Sequence, residues 1–235
     1  MSFLSAEWRK LALANYEIDS ALLKKYLPYK TEIDFCDDSC YVSLVGFMFL
    51  NTKLLGVSIP YHRNFEEVNL RFYVRYKDGR EWKRGVVFIK EIVPKAAITR
   101  IANTVYGENY QTMKMSHRWE ENIGERIVAY TWQLGSIRNS FLVKADLRAS
   151  VIPLNSEIEF ITEHYLGYTN VSPNQTFEYE VTHPKWEHYP VRGYEIMVDF
   201  GGVYGEAFSD LSAMEPKSVM LAEGSVITVE GKKQL

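Results

Sequence analysis

The chain has 235 residues, 46% hydrophobic and 14% aromatic, which suffices for a sizeable core and, with 16 tyrosines, leans toward pleated structure. Lys plus Arg total 27 against 30 for Asp plus Glu, a formal net charge of -3, so no basic excess marks a nucleic-acid or anionic-membrane partner. No run approaches the ~20 apolar residues of a membrane span, and the opening MSFLSAEWRK lacks the apolar core of a secretory signal, so a soluble cytoplasmic protein is expected.

No low-complexity segment, solenoid repeat or Pro/Gly/Ser linker interrupts the chain, so one domain over residues 1–235 is expected. A short helix is predicted after Asp19, with Leu22, Leu23, Tyr26 and Leu27 as its buried stripe and Pro28 as its stop. Cys36 and Cys40 have no second Cys or His pair to complete a zinc site and read as reduced thiols. Tyr41 to Leu50 reads as a strand and residues 51–64 as a loop. From Glu67 to Arg75 the alternation is clean: Val68, Leu70, Phe72 and Val74 face one way, and Glu67, Asn69, Arg71, Tyr73 and Arg75 the other. Asp78-Gly79 signals a hairpin turn into a return strand, Val86 to Val93.

Ile98, Ile101, Ala102 and Val105 recur at helical spacing after Pro94, and Gly107 suits the helix stop. A strand is predicted over Tyr110 to Trp119, then a turn at Asn122-Ile123-Gly124. Arg126 to Leu134 and Ser140 to Leu147 pair around Gly135-Ser136. Ser156 and Glu159 stand in capping-box spacing before a third helix. Thr176 to Thr182, Tyr194 to Phe200 and Ser218 to Val229 complete the β pattern. DFGGVYGE reads as a turn. The expected class is α+β, mainly β: a closed or nearly closed antiparallel β-barrel with a few short helices packed outside, closure sparing such a chain its exposed edges.

The polar face of the Glu67–Arg75 strand is either a solvated hairpin face or the lining of a barrel interior. Inside, Glu67 would serve as acid or base and Arg71 would clamp a carboxylate. The two stand ~13 Å apart along a strand, so they are not one ion pair. Lys114 shares a predicted face with Tyr110, Thr112 and Ser116. Outward, it is an ordinary surface lysine; inward, desolvation would lower its pKa and give a nucleophilic amine. The five histidines form no H-x-x-x-H or H-E-x-x-H pattern, and no nucleophile elbow, Walker loop or G-x-G-x-x-G is present. No metal and no cofactor is signalled.

Four elements carry a family resemblance: Trp8 with LLKKYLP, the strand Glu67-Val68-Asn69-Leu70-Arg71-Phe72-Tyr73-Val74, Gly85-Val86-Val87-Phe88, and Val181-Thr182-His183-Pro184-Lys185-Trp186. With these the chain resembles the YqjF-like family of uncharacterised conserved proteins, which belongs with the acetoacetate-decarboxylase-like fold. The resemblance covers nearly the whole length and implies that fold. Acetoacetate decarboxylase itself uses a Lys-Lys pair after a G-R-E helix end, with two glutamates and an arginine nearby. Here Gly107-Glu108 and then Lys114 stand in similar places, Glu67 looks like one of the glutamates, and Arg9 matches the arginine. Met113 and Met115 flank Lys114, so the second lysine, whose charge activates the first, is missing. The other glutamate falls near Gly46-Phe47, where no carboxylate stands.

The resemblance implies a cavity for a small organic acid or ketone, lined by Glu67, Asn69, Arg71 and Lys114, with Arg9 as a further candidate. Three functions stay open, the first two being a lyase- or hydrolase-like enzyme that forms a Schiff base on Lys114 with Glu67 handling protons, and a non-catalytic binding or sensing protein with the same cavity. A structural role with a filled cavity is the third. No nucleic acid and no membrane is expected as a partner; a homo-oligomer is left open.

Overall fold

The computed structural model describes residues 2–235. The chain runs through Leu4–Glu17 (β1), a 3-10 helix over Ser20–Tyr26, Thr31–Ile33 (β2), Tyr41–Leu54 (β3), Phe65–Asp78 (β4) and Glu81–Val93 (β5). The helix Ala96–Val105 (α1) leads to Tyr110–Thr112 (β6), Lys114–Asn122 (β7), Glu125–Leu134 (β8), Ile137–Ala145 (β9) and Ser150–Val151 (β10). The helix Glu157–Thr162 (α2) precedes Leu166–Ser172 (β11), Gln175–Thr182 (β12), Glu187–Tyr189 (β13) and Val191–Met197 (β14). Last come the helix Phe200–Tyr204 (α3), a 3-10 segment Glu206–Ser212, Ser218–Val229 (β15) and Lys233–Gln234 (β16).

The fold is mainly β with few helices. In the larger sheet β15, β1, β3, β4, β5, β11 and β12 are neighbours in that order, and β12 pairs back onto β15 through Val181↔Val229 and Thr182↔Thr228, so the hydrogen bonding returns on itself. The ring is antiparallel except at β5–β11, where Leu166↔Gly85 and Gly167↔Val86 run parallel. A second sheet, β14-β9-β8-β7, lies outside it.

Alternation along β4 decides how the two sheets meet. Val68, Leu70, Phe72 and Val74 pack with Val128, Tyr130, Phe141 and Val143 of the second sheet. Glu67, Asn69, Arg71 and Tyr73 therefore point into the ring, where Tyr73 joins a second cluster with Phe47, Phe49, Phe65 and Phe160. A strand with apolar side chains outward and polar ones inward is stable here because the outer face is itself covered. Tyr130 ties the layers together, its hydroxyl donating to the Lys10 carbonyl at 2.7 Å. That carbonyl is presented by an irregularity in β1, where Lys10 has φ 55 and the pairing with β3 shifts between Arg9 and Ala12.

Helix predictions met the structure unevenly. Ser156 caps α2, accepting from the Glu159 amide at 3.2 Å, while Glu159 reaches back to the Asn155 amide at 2.7 Å. The apolar stripe of α1 is real, yet none of its residues is buried, because Ile98, Ile101 and Ala102 border a cavity instead of a filled core. Asp199 caps α3 by accepting from the Gly202 amide at 2.9 Å, so DFGGVYGE holds one short helix where only a turn was expected. The N-terminal β1 escaped strand prediction, since LSAEWRKLALANYE carries no β-branched residue. Both cysteines are free thiols. Among the described residues no helix is long and apolar enough to cross a membrane.

Candidate functional site

A cavity of about 340 Å³ occupies the interior of the ring, near the lower end of the size range of small-molecule sites. Most of its wall is apolar: Trp8 from β1, Phe47 and Phe49 from β3, Phe65 from β4, Phe88 from β5 and the α1 stripe. Its carboxyls and their nearest polar neighbours come from four adjoining elements. Strand β4 supplies Glu67, Asn69 and Arg71; β5 supplies Glu91; the turn after α1 supplies Glu108; β6 supplies Tyr110.

Strand register explains why these groups meet. Asn69 pairs with Glu91 across β4 and β5, and Glu91 pairs with Tyr110 across β5 and β6. Glu67 stands two residues before Asn69 on the same face. A bulge at Ile89, where the pairing steps from Leu70↔Lys90 to Arg71↔Phe88, brings both Phe88 and Glu91 to the cavity. Asn69 Nδ2 donates to Glu67 Oε1 at 2.9 Å, and the Tyr110 hydroxyl donates to Glu67 Oε2 at 3.0 Å. Thr169 Oγ1 donates to Glu108 Oε1 at 2.7 Å. Glu67 and Glu91 are each 2% exposed and Asn69 1%. Glu108 keeps some exposed surface, and the cavity receives it.

Burial dominates the titration of this cluster. It pushes Glu67 up to about 7 against the lowering effect of the Asn69 and Tyr110 hydrogen bonds. Glu108 is pushed up to about 7 for the same reason, partly offset by Thr169 and Tyr179. Glu91, with the charges of Glu108 and Glu67 added to its burial, lies well above the ordinary carboxylate range. Three carboxyls this close titrate as a unit, shedding protons in steps that belong to the group. The phenols of Tyr110 and Tyr179 are driven far up by burial and remain donors.

Arg71 is 8% exposed, and one guanidinium nitrogen donates to the Ile161 carbonyl at 3.4 Å while Nε has no partner. His164 lies on the same wall, its Nε2 at 3.1 Å from Asp34, which also pairs with Arg84 at 2.5 Å. Burial pulls His164 down to about 4, so it stays neutral, and the Asp34 carboxylate fixes the proton on Nε2. His183 stacks on Trp186 with ring centroids 4.2 Å apart, both rings bordering the cavity.

Glu67, Asn69 and Arg71 therefore share the cavity wall, whereas Lys114 and Arg9 do not. Lys114 is exposed. The predicted strand Tyr110 to Trp119 breaks at Met113: β6 runs parallel to β5 in the ring, and β7 leaves to pair with β8 in the second sheet. Buried Met113 is the crossing point, so the parity linking Tyr110 to Lys114 is lost. Among the described residues the cavity wall contains no lysine. Arg9 is held by Glu7, with contacts of 3.0 and 2.7 Å, and donates to the Gly224 carbonyl at 3.3 Å, away from the cavity. Glu91, Glu108 and Tyr179 escaped the sequence reading as site residues. A glutamate inside the apolar run VVFIKEIV was the available signal for the first.

A family model described as an uncharacterized conserved protein, DUF2071, matches residues 5–226. The chain belongs to this family. An uncharacterized protein of Bacillus subtilis, YqjF, is 25% identical over 184 residues, covering 76% of the chain and 72% of that protein. The enduracididine biosynthesis enzyme MppR, solved with pyruvate bound, superposes with a TM-score of 0.69 at 14% identity, over 100% of this chain and 91% of that one. Acetoacetate decarboxylase from Legionella pneumophila superposes with a TM-score of 0.66, also at 14% identity, over 99% of this chain and 86% of the other. These likenesses establish an acetoacetate-decarboxylase-like fold for this DUF2071 member. Its E-V-N-x-R strand and its H-P-x-W element both border the cavity.

Proposed function

We propose that this protein binds a small, largely apolar organic molecule inside the ring without covalent attachment, its one polar group seated on Glu67, Asn69 and Glu91. One observation carries the reading. At the floor of an apolar cavity stand buried acceptors with no partner, Asn69 Oδ1 and Glu91 Oε2. Each such group costs about 1–3 kcal/mol when left unpaired, and an apolar side chain would avoid that cost. MppR, solved with pyruvate and sharing the fold, supports a small ligand. Three carboxyls facing the single charge of Arg71 disfavour a ligand carboxylate, so a hydroxyl, amine or other donor-bearing group is the polar group we propose in place of an organic acid. A Schiff base on Lys114 is withdrawn because its amine lies outside the cavity.

Proton transfer on the bound molecule is a second reading, favoured by Glu67, whose carboxyl sits at about 7 and is hydrogen-bonded to Tyr110. A group titrating near the working pH serves best as acid or base.

A thermal-shift screen of small ketones, alcohols, amines and acids tests the binding reading. A ligand at 100 times its dissociation constant stabilises by about 2.7 kcal/mol, worth roughly 5–10 °C for a chain of this size. Lys114→Ala is expected to show the same shifts, and borohydride added with a ketone ligand is expected to leave the intact mass unchanged. A flat response across the panel contradicts the binding reading, and a reduced adduct on Lys114 restores the covalent one.

A further inference from the structure

We propose that the cavity selects an organic cation, a primary amine on an apolar body, with the ammonium held by Glu67, Glu91 and the side-chain oxygen of Asn69. The inference rests on the binding reading above and names its ligand class. Hydrogen-bond bookkeeping is its first support. Asn69 spends its amide nitrogen on Glu67, which leaves Oδ1 as an acceptor without a donor; directly across the strand pair, Glu91 Oε2 is also without one. Side chains directly opposite in an antiparallel pair lie ~5 Å apart at Cβ. The corner formed by Asn69 and Glu91 is short of donors, while Arg71 Nε and Trp8 Nε1 elsewhere on the wall are donors without an acceptor. An ammonium brings three N–H donors and no acceptor, a hydroxyl brings one donor, and a carboxylate brings none.

Charge gives the second support. Glu67, Glu91 and Glu108 line the wall with Arg71, yet Arg71 donates to the Ile161 carbonyl and forms no ion pair with any of the three. The carboxyls are uncompensated by a direct partner, and a bound cation would supply one. The wall beside them suits the same guest. Phe47 pairs with Glu67 across β3 and β4, and Trp8 and Phe49 surround Phe47 with centroid distances of 5.2 and 5.3 Å. Aromatic rings bury an apolar body and also attract a nearby ammonium.

The electrostatics set a pH signature. An alkylamine is protonated throughout the neutral range, with a pKa near ~10.4. The carboxyls are the groups whose charge changes there, since burial pushes Glu67 and Glu108 up to about 7. Facing them are Arg71 from β4 and the phenols of Tyr110 from β6 and Tyr179 from β12, which burial drives far up. His164 and His183 also border the cavity and are pulled down by burial. Binding of the cation favours ionised carboxyls and so releases protons; affinity rises as pH rises through about 7.

Calorimetric titration of the full chain with 2-phenylethylamine, 2-phenylethanol and phenylacetate, at about pH 5.5 and about pH 8, tests this. The amine is expected to bind at least roughly tenfold tighter than the alcohol at the higher pH, the gain expected of charge-assisted hydrogen bonds. Its affinity is expected to fall roughly tenfold or more at the lower pH, and its heat to vary with buffer in the sense of proton release. Glu91→Gln, checked for folding by its melting curve, is expected to weaken the amine roughly tenfold at about pH 8. Alcohol binding that equals or exceeds amine binding at about pH 8 overturns the cation inference and leaves the cavity reading standing. Failure of all three probes to bind counts against both.

Discussion

Glu67→Gln is expected to raise the stability of the unliganded protein at about pH 8 by roughly 3 kcal/mol and to leave it nearly unchanged near pH 4. The carboxyl sits at about 7 in the folded protein against an ordinary 4.5. Below about 4.5 it is protonated in both states and neither is favoured. As pH rises from there toward 7, the unfolded chain loses the proton and the folded one keeps it, so stability falls by ~1.4 kcal/mol per unit and then levels off. An isosteric amide removes that slope. His164 works in the opposite sense: pulled down to about 4 in the folded state, it costs stability as pH falls below its ordinary 6.5. Subtracting the variant's profile from that of the native chain cancels His164 and leaves the carboxyl. Denaturant unfolding at several pH values is the measurement, and at the upper pH a melting gain of roughly 6–10 °C is expected. A variant less stable than the native chain at about pH 8 would mean that Glu67 is held as a well-compensated anion.

Gly224→Ala is expected to cost about 3 kcal/mol, with a fall in melting temperature of roughly 6–12 °C. Gly224 has φ 80, and a Cβ there would lie 2.0 Å from the Trp8 carbonyl oxygen and 2.7 Å from Leu11 Cδ1. The left-handed backbone alone costs an L-residue roughly 1–2 kcal/mol, and the contact with main chain cannot be relieved by a rotamer change. Gly224 pairs with Arg9 beside the Lys10 irregularity, so displacing it also disturbs the carbonyl that receives Tyr130. Its near neighbour Trp8 borders the cavity, and any ligand found for the native chain should bind this variant more weakly. Unchanged stability would show that the β1–β15 seam accommodates a side chain. Gly167 plays a related part at the site itself, because a Cβ there would lie 2.1 Å from the Tyr179 ring.

The sequence pattern was most legible where one strand kept a single parity. Glu67 to Arg75 alternates without interruption, and the sides it separated are the two sides of the ring wall. Which side was the interior could not be read from β4 alone, because it depends on a second sheet whose strands lie far along the chain. Lys114 was misplaced for a local reason. The crossing at Met113 leaves the alternation of side-chain types unbroken while the strand itself changes sheet. Glu91 was hidden by the opposite effect, a bulge at Ile89 that shifts parity inside a strand that otherwise reads as regular. The α1 periodicity correctly gave a helix, yet hydrophobic spacing does not distinguish a face packed on side chains from one bordering an open cavity. Glu108 stood in plain sight after Gly107, and only the tertiary structure brings it to the cavity that Glu67 and Glu91 also line.

The buried carboxyl cluster is the claim on which ligand class, proton transfer and pH dependence all depend, and carbon-13 NMR of glutamate side-chain carboxyls observes it directly. With the native chain and Glu67→Gln titrated side by side, the resonance absent from the variant is expected to titrate near 7, about two and a half units above an ordinary glutamate. Two further carboxyls, those of Glu91 and Glu108, are expected to titrate high and to shift downward in the variant as one neighbouring charge disappears. Every glutamate titrating in the ordinary range around ~4.3 would contradict the cluster, and with it the reading of this cavity as a site built for a donor-bearing guest.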